Sequence, residues 1–286
     1  LNTLINYDNL KKDNSHFEGK YILNLLEDDK DNIWIATYQN GLWVYNTRQN
    51  TFSKIETTDS EGNQHLDIRY LFKDSKNRIW LSYNHSLHIY SSDQLRIASF
   101  NYKNYGLKGV FCLGMAEDEN GSIWAGISKG GLFKFHENET NLSESYFTEK
   151  KYYVKNEGDI LNYNVASINP NFKGDLFINT AVGILIKYDL KNETFESISR
   201  KEKLKNINIS DVLVENPNSL WVSSTTGIHQ YKIDTDSLKT YDITDGLQGN
   251  IFTRRTSFKD SNGVFYFGGE NGANSFYPLG IIKRET

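Results

Sequence analysis

Asp118, Asn120 and Gly121 stand at the spacing that opens a calcium-binding loop, and Asp28, Asp74 and Asp260 recur in register with Asp118. Such a loop holds its ion only when a bidentate glutamate closes it at the twelfth position. None of these segments supplies one in register, so the acids read as polar hairpin turns held by Asx-type hydrogen bonds, and no metal site is expected. The six histidines (His16, His65, His85, His88, His136 and His229) show neither a His-x-His nor a His-Glu-x-x-His spacing. No Gly-x-Ser-x-Gly elbow occurs. Gly268, Gly269 and Gly272 are not followed by the Lys-Ser/Thr of a phosphate loop. Glycoside hydrolysis would need two carboxylates about 5–9 Å apart in a pocket, whereas the acids here fall mostly at turns. The sequence therefore points away from catalysis, and no catalytic residue or cofactor is expected.

The elements that carry these residues repeat. DKDNIWIATYQNGLWVY (29–45) and DSKNRIWLSYNHSLHIY (74–90) are followed by EDENGSIWAGISKGGLFKF (117–135), KGDLFINTAVGILIKY (173–188), NSLWVSSTTGIHQY (218–231) and DSNGVFYFGGENGANSF (260–276). An aromatic anchor recurs as Trp34, Trp80, Trp124, Phe177, Trp221 and Tyr266, at a period set by the supersecondary unit rather than by chance. Six or seven residues later stands Gly41, Gly131, Gly183, Gly227 or Gly272, with Ser86 in the second copy. Each unit reads as four short strands: an apolar run such as YILNLLE, a tight turn, the anchor strand, a glycine turn, an alternating third strand such as GLWVY, and a fourth such as TFSKIE. Four strands in about 40–45 residues is the period of a β-propeller blade.

The expected fold class is all-β, a β-propeller of four-stranded antiparallel blades with six repeats visible, either six-bladed or part of a seven-bladed ring. Residues 1–286 read as one domain. Residues 17–62, 63–106, 107–158, 159–205, 206–247 and 248–280 form the blades, and 1–16 form an outer strand that closes the last one. Pairing those ends would remove exposed sheet edges. The wider interval between Trp124 and Phe177 holds a polar insert, 138–159, expected to form an extended outer hairpin.

Propeller ligands sit where loops of several blades converge over the channel. The candidate binding residues are accordingly Tyr38 and Asn40, Tyr83 and His85, Lys129, and Glu270 and Asn271 in the loops between second and third strands. Arg69, Phe111, Tyr163, Arg254 and Arg255 join them at the lead-ins to first strands. Flat aromatics and planar multidentate groups suit a sugar. Arg69 and Arg255 both lie eleven residues before their anchors, on a strand where a charge needs a partner or a ligand. An arginine pair would favour an acidic sugar or a sulfate.

Composition sets outer bounds. Aromatics make up 14% of the 286 residues, with 18 Tyr and 16 Phe, which favours strands. The net charge is −4 with no basic block, which disfavours nucleic acid as a partner. The single cysteine, Cys112, forms no internal disulfide. The N-terminus lacks Met and the layout of a signal peptide, so the chain reads as a piece of something longer.

With the repeat laid out, the chain resembles the two-component-regulator propeller repeats of bacterial hybrid sensor kinases. The acid–turn–Ile-Trp–small residues–Gly-Leu–aromatic unit carries that likeness, as does DGLQGNIFTRRTSFKDSNGVFYFGGENGANSFYP (245–278). The sequence departs from the pattern at Phe177, Tyr266 and Ser86. The resemblance implies a periplasmic, non-catalytic sensing module of a membrane-anchored and commonly homodimeric parent. Its signal would be an oligosaccharide, and its output the control of glycan-utilisation genes. Two alternatives stand beside it: a rigid dimerisation or protein-interaction platform, and a propeller glycan hydrolase or lyase.

Overall fold

The structure is a computed structural model that describes residues 17, 21–58, 64–154, 158–159, 164–171 and 174–281. It has a β-propeller fold, with six blade sheets among the described residues. The first blade comprises β1 (Ile22–Glu27), β2 (Asn32–Thr37), β3 (Leu42–Asn46) and β4 (Thr51–Ile55). The second comprises β5 (Tyr70–Lys73), β6 (Ile79–Tyr83), β7 (Ser86–Tyr90) and β8 (Arg96–Asn101). The third is β9 (Cys112–Glu117), β10 (Ile123–Ile127), β11 (Gly131–His136) and β12 (Tyr146–Lys150), followed by a small ribbon of β13 (Tyr153–Val154) and β14 (Gly158–Asp159). The fourth is β15 (Val165–Pro170), β16 (Asp175–Thr180), β17 (Leu185–Asp189) and β18 (Thr194–Ser197). The fifth is β19 (Ile209–Asn216), β20 (Ser219–Ser224), β21 (Ile228–Lys232) and β22 (Ser237–Tyr241). The sixth holds three strands, β23 (Phe252–Lys259), β24 (Phe265–Gly269) and β25 (Gly272–Phe276).

The strands and turns fall where the repeat places them. The insert at 138–159 differs from expectation: instead of one extended hairpin, it supplies β12, the fourth strand of its own blade, and then the β13–β14 ribbon. The expected closing strand at 1–16 lies outside the described residues. The blades fall into two compact units, the first holding blades one and two and the second blades three to six.

Within each unit, the first strands of successive blades pack side by side: β1 on β5, and β9 on β15, β15 on β19, and β19 on β23. The anchors fill the space between blades. Trp34 packs with Ile68, Leu71 and Tyr90 of the second blade. Trp124 packs with Val165, Ile168 and Tyr188 of the fourth, and Trp221 with Phe252, Phe265 and Phe267 of the sixth. Burying rings of this size supplies a large share of the apolar stabilisation.

Each anchor also has a polar handle, and the acid of the preceding turn takes it. Trp34, Trp80 and Trp124 donate their indole N–H to Asp28, Asp74 and Asp118, each at 2.8 Å and each six residues earlier. Trp221 donates to Glu215 at 2.9 Å and the Tyr266 hydroxyl meets Asp260 at 3.3 Å, again six residues back. The other carboxylate oxygen in the Asp turns accepts backbone N–H groups, as Asp118 does from Asn120 at 2.9 Å and Ser122 at 3.0 Å. The Phe177 ring has no N–H or O–H to offer, and the residue six before it is neutral Asn171. The recurring acids thus satisfy buried indoles and close hairpins, which accounts for their spacing.

Candidate functional site

In the first unit, the lead-in to β5 and the loop after β2 meet around Arg69. Its guanidinium donates to Asp67 at 2.6 Å and lies 4.9 Å from the centre of the Tyr38 ring. The Tyr38 backbone N–H donates to the Tyr21 carbonyl at 2.9 Å, and the two rings meet edge-on. Arg69 therefore has the partner its position demands, a carboxylate on one side and an aromatic face on the other. Beside this group opens a cavity of about 430 Å³ lined by Gln39, Gln64, His65, Leu66, Asp67 and Asn84. Under it, His65 packs on Tyr83 with ring centres 4.8 Å apart, and Tyr83 on His88 at 4.5 Å.

The other candidates in this unit also make structural contacts. Tyr83 is fully buried in the interblade core, and burial pushes its hydroxyl well above the usual tyrosine range. Asn40 accepts the Trp43 indole N–H through its carbonyl at 3.1 Å, and Lys54 through its side chain at 3.3 Å. His85 takes the left-handed turn conformation at φ 60°, one residue before Ser86 replaces the repeat's glycine. Its carbonyl accepts Tyr102 N–H at 2.8 Å.

In the second unit, Lys129 has the corresponding turn conformation, φ 58°, and its backbone N–H donates to Asn164 Oδ1 at 2.6 Å. The Phe111 carbonyl accepts Ser128 N–H at 2.8 Å. Asn271 is held by Gln248, whose side-chain oxygen accepts its backbone N–H at 2.7 Å, and Gln248 N–H in turn donates to Asn274 at 2.9 Å. The GLQGN stretch is thus a brace across the β24–β25 hairpin. Glu270 is exposed beside it, its N–H directed to the Ile251 carbonyl at 3.3 Å. Arg254 and Arg255 lie in β23, Arg254 exposed and Arg255 half-buried. Tyr163 lies outside the described residues. Arg69 and Arg255 fall in different units.

Sequence reasoning missed Gln64, His65 and Leu66, since the stretch joining the first two blades has no counterpart in the repeat. The QHLD tetrapeptide just before a first strand was the available signal. It also missed Asp211, a fully buried carboxylate that burial pushes above the usual aspartate range. Cys112 is buried as well, its thiol pushed up to about 12 by burial, against which the Arg255 charge acts.

Residues 16–39 match the two-component regulator propeller family. Histidine kinase P4 of Formosa agariphila is 26% identical over 255 residues, covering 86% of this chain and 14% of that protein's length. Among solved structures, the extracellular domain of a hybrid two-component system from B. thetaiotaomicron aligns with a TM-score of 0.69 at 24% identity, over 90% of this chain and 34% of its own. PorZ, a surface component of the type-IX secretion system of Porphyromonas gingivalis, aligns at 0.67 and 14% identity over 90% and 38%. Virginiamycin B lyase from Staphylococcus aureus aligns at 0.61 and 12% over 91% and 85%. At these identities the structural likenesses speak to the fold alone, a scaffold that hosts unrelated functions.

Proposed function

We propose, on the premise that this chain carries the two-component regulator propeller repeat, that it is a non-catalytic ligand-sensing domain. It acts outside the cytoplasm in a membrane-anchored, homodimeric sensor kinase whose signal is an oligosaccharide and whose output is glycan-utilisation genes. The observation that carries the ligand class is the cleft beside Arg69. Its lining offers three side-chain amides, Gln39, Gln64 and Asn84, together with the His65 imidazole. Each amide presents a donor and an acceptor in one plane, the pattern that vicinal sugar hydroxyls match. The one charged lining residue, Asp67, is already engaged by Arg69, so the cleft suits an uncharged polyhydroxyl ligand. Occupancy would bias the sensor only through differential affinity for its two states.

The test is a thermal-shift and calorimetric titration of this chain with maltohexaose, cellohexaose and mannohexaose. Binding of one of these to the folded state raises Tm with concentration. The Gln64→Ala and Asn84→Ala variants are expected to weaken it at least tenfold with the unliganded Tm unchanged. A well-folded protein that responds to none of the three would count against the cleft as a sugar site.

A further inference from the structure

Blade three departs from the repeat at its outer hairpin. In the other four-stranded blades, short turns at 47–50, 91–95, 190–193 and 233–236 join the third and fourth strands, whereas 137–145 join β11 to β12. In blades one and four the residue ending the third strand closes that turn. The Asn46 side chain accepts Gln49 N–H at 2.8 Å, and Asp189 accepts Lys191 and Asn192 N–H at 2.9 Å each. Their cross-strand partners are Thr51 and Thr194. In blade three the pair is instead His136 and Tyr146.

The two rings stack, with centres 4.5 Å apart and planes within 6°. The His136 Nε2 meets the Thr148 hydroxyl at 2.9 Å, which fixes the imidazole. Burial, then the charges of Lys134 and Lys150, hold its pKa below the usual histidine value, so the ring is neutral at pH 7. The longer loop is tied down: the buried Ser145 hydroxyl accepts Asn138 N–H at 2.9 Å, and the Asn141 side chain accepts Ser143 N–H at 3.1 Å. Tyr146 is nonetheless 57% exposed, so the stack leaves much of its ring open. Lys134, two residues before His136 and paired with Thr148, lies on the same face of the sheet. Its ammonium stands 5.4 Å from the centre of the Trp124 ring and forms no ion pair among the described residues. The Ser122 hydroxyl makes no hydrogen bond with any described residue. Ser122, Lys134, His136, Glu137 and Tyr146 converge as part of the lining of one cavity of about 380 Å³.

We propose that this hairpin is a separate ligand-contact site, in which one pyranose ring of a carbohydrate lays its C–H face on Tyr146 while its hydroxyls meet Ser122 and Lys134. A pyranose is apolar on a face and polar around its rim, and the cavity is divided in the same way. The hydroxyl of Ser122 donates and accepts, and the ammonium of Lys134 donates. A ring without hydroxyls would desolvate both groups and return no hydrogen bond. The Glu137 carboxylate on the same cavity offsets the Lys134 charge, which favours a neutral sugar over an acidic one. The volume lies near the lower end of small-ligand sites, roughly 300–1,000 Å³, and suits one ring rather than a chain. Stacking on His136 holds the Tyr146 ring in place before the ligand arrives, which lowers the entropy lost on binding. The site lies wholly in the second unit and does not rest on the cleft of the first.

The test uses the whole chain carrying Gln64→Ala and Asn84→Ala, so that the cleft does not register, with its tyrosines labelled as 3-fluorotyrosine. The Tyr146 fluorine signal is identified by its absence from Tyr146→Phe. Methyl β-glucoside, methyl β-galactoside and methyl α-mannoside are titrated, with benzyl alcohol as a ring that lacks the hydroxyl rim. The Tyr146 signal is expected to shift saturably with at least one glycoside. Affinity in the variants is read by saturation transfer to that glycoside. Tyr146→Ser should weaken binding about tenfold through the lost stacking, and Ser122→Ala roughly threefold with Tm unchanged. Tyr146→Phe keeps the aromatic face and should bind as the parent does. The remaining fluorine signals report the folding of each variant. A Tyr146 signal unmoved by all three glycosides would overturn the proposal and leave the stack as a hairpin brace. A glycoside response unaltered by both Tyr146→Ser and Ser122→Ala would overturn it by placing the sugar elsewhere. Benzyl alcohol moving the Tyr146 signal more strongly than every glycoside would overturn the sugar assignment.

Discussion

The Ser257 hydroxyl donates to the Asp211 carboxylate at 2.6 Å, and the Ser257 backbone N–H adds a second bond at 3.2 Å. From the other side, the Ser167 hydroxyl donates to the same carboxylate at 2.9 Å. One buried side chain thereby joins the inner strands of blades four, five and six. Ser167 and Asp211 each follow a one-residue β-bulge and pair with the residue two beyond the anchor, whereas Ser257, after a larger bulge, pairs with Phe267, one beyond Tyr266. The equivalent Asn24 in the first unit accepts Leu71 N–H of the next blade at 3.2 Å. At Gly114, which also holds this position, an added Cβ would come within 2.9 Å of Ser167 Cα. This level of the fold is a seam of interstrand contacts between blades.

Removing the centre of the seam should be costly. Asp211→Ala leaves the Ser167 and Ser257 hydroxyls and the backbone N–H groups of Ser257 and Val212, the latter at 3.0 Å, without their acceptor, and a loss of about 2–4 kcal/mol in urea unfolding is expected. Asp211→Asn retains an acceptor in the same place and should cost less. An Asp211→Ala protein as stable as wild type would show that the seam contributes no stability.

The indole–carboxylate pairs predict coupling. In a double-mutant cycle of Asp118→Asn and Trp124→Phe, the two changes should cost less together than the sum of each alone, by about 1–2 kcal/mol. Blade four offers the converse. Asn171→Asp would set a carboxylate below Phe177, whose ring offers no N–H, and a stability gain there would contradict the pairing.

His229 gives a pH signature. It is buried between Ser224 at 2.8 Å and Thr240 at 2.9 Å, and burial lowers its pKa from 6.5 to about 4. The unfolded chain therefore binds the proton before the folded one does. Stability attributable to this group is fully present above pH 6.5 and falls as pH drops toward 4, by up to about 1.4 kcal/mol per pH unit. Urea unfolding from pH 7 to pH 4.5 should show this slope, and His229→Asn should flatten it. An unchanged slope in the variant would assign the acid sensitivity to other groups.

Gly130 should not tolerate a side chain. An added Cβ would lie 2.0 Å from the Lys108 carbonyl oxygen, where backbone must move. At Gly106 nothing stands within 4 Å, and the cost of alanine is set by its φ of 69° alone. Gly130→Ala is therefore expected to lower Tm by several degrees more than Gly106→Ala, as measured by circular dichroism.

The repeat was legible because it is local chemistry. An acid turn, an aromatic six residues later and a turn residue beyond it recur along the chain, and neighbouring strands pair within each copy. Strand order, anchor burial and hairpin positions follow from that period. The partner of the acid was not legible, because an indole N–H meets a carboxylate only once the turn has folded back over its own strand. The same holds at the candidate sites. Tyr83, His85 and Asn40 have the composition of binding loops, yet only folding shows that Tyr83 is buried between blades, that His85 shapes a left-handed turn and that Asn40 accepts a neighbouring indole. Gln64 and His65 come from a connector without periodicity, and become a cleft with Gln39 and Asn84 only when two blades pack. Asp211 meets Ser167 and Ser257 across intervals of 44 and 46 residues. The sequence by itself determined the blade, since among the described residues the strand pairings of each blade lie within one repeat. Which residues face one another between blades was decided only by the tertiary structure, because first strands from different repeats must lie side by side before their side chains can meet.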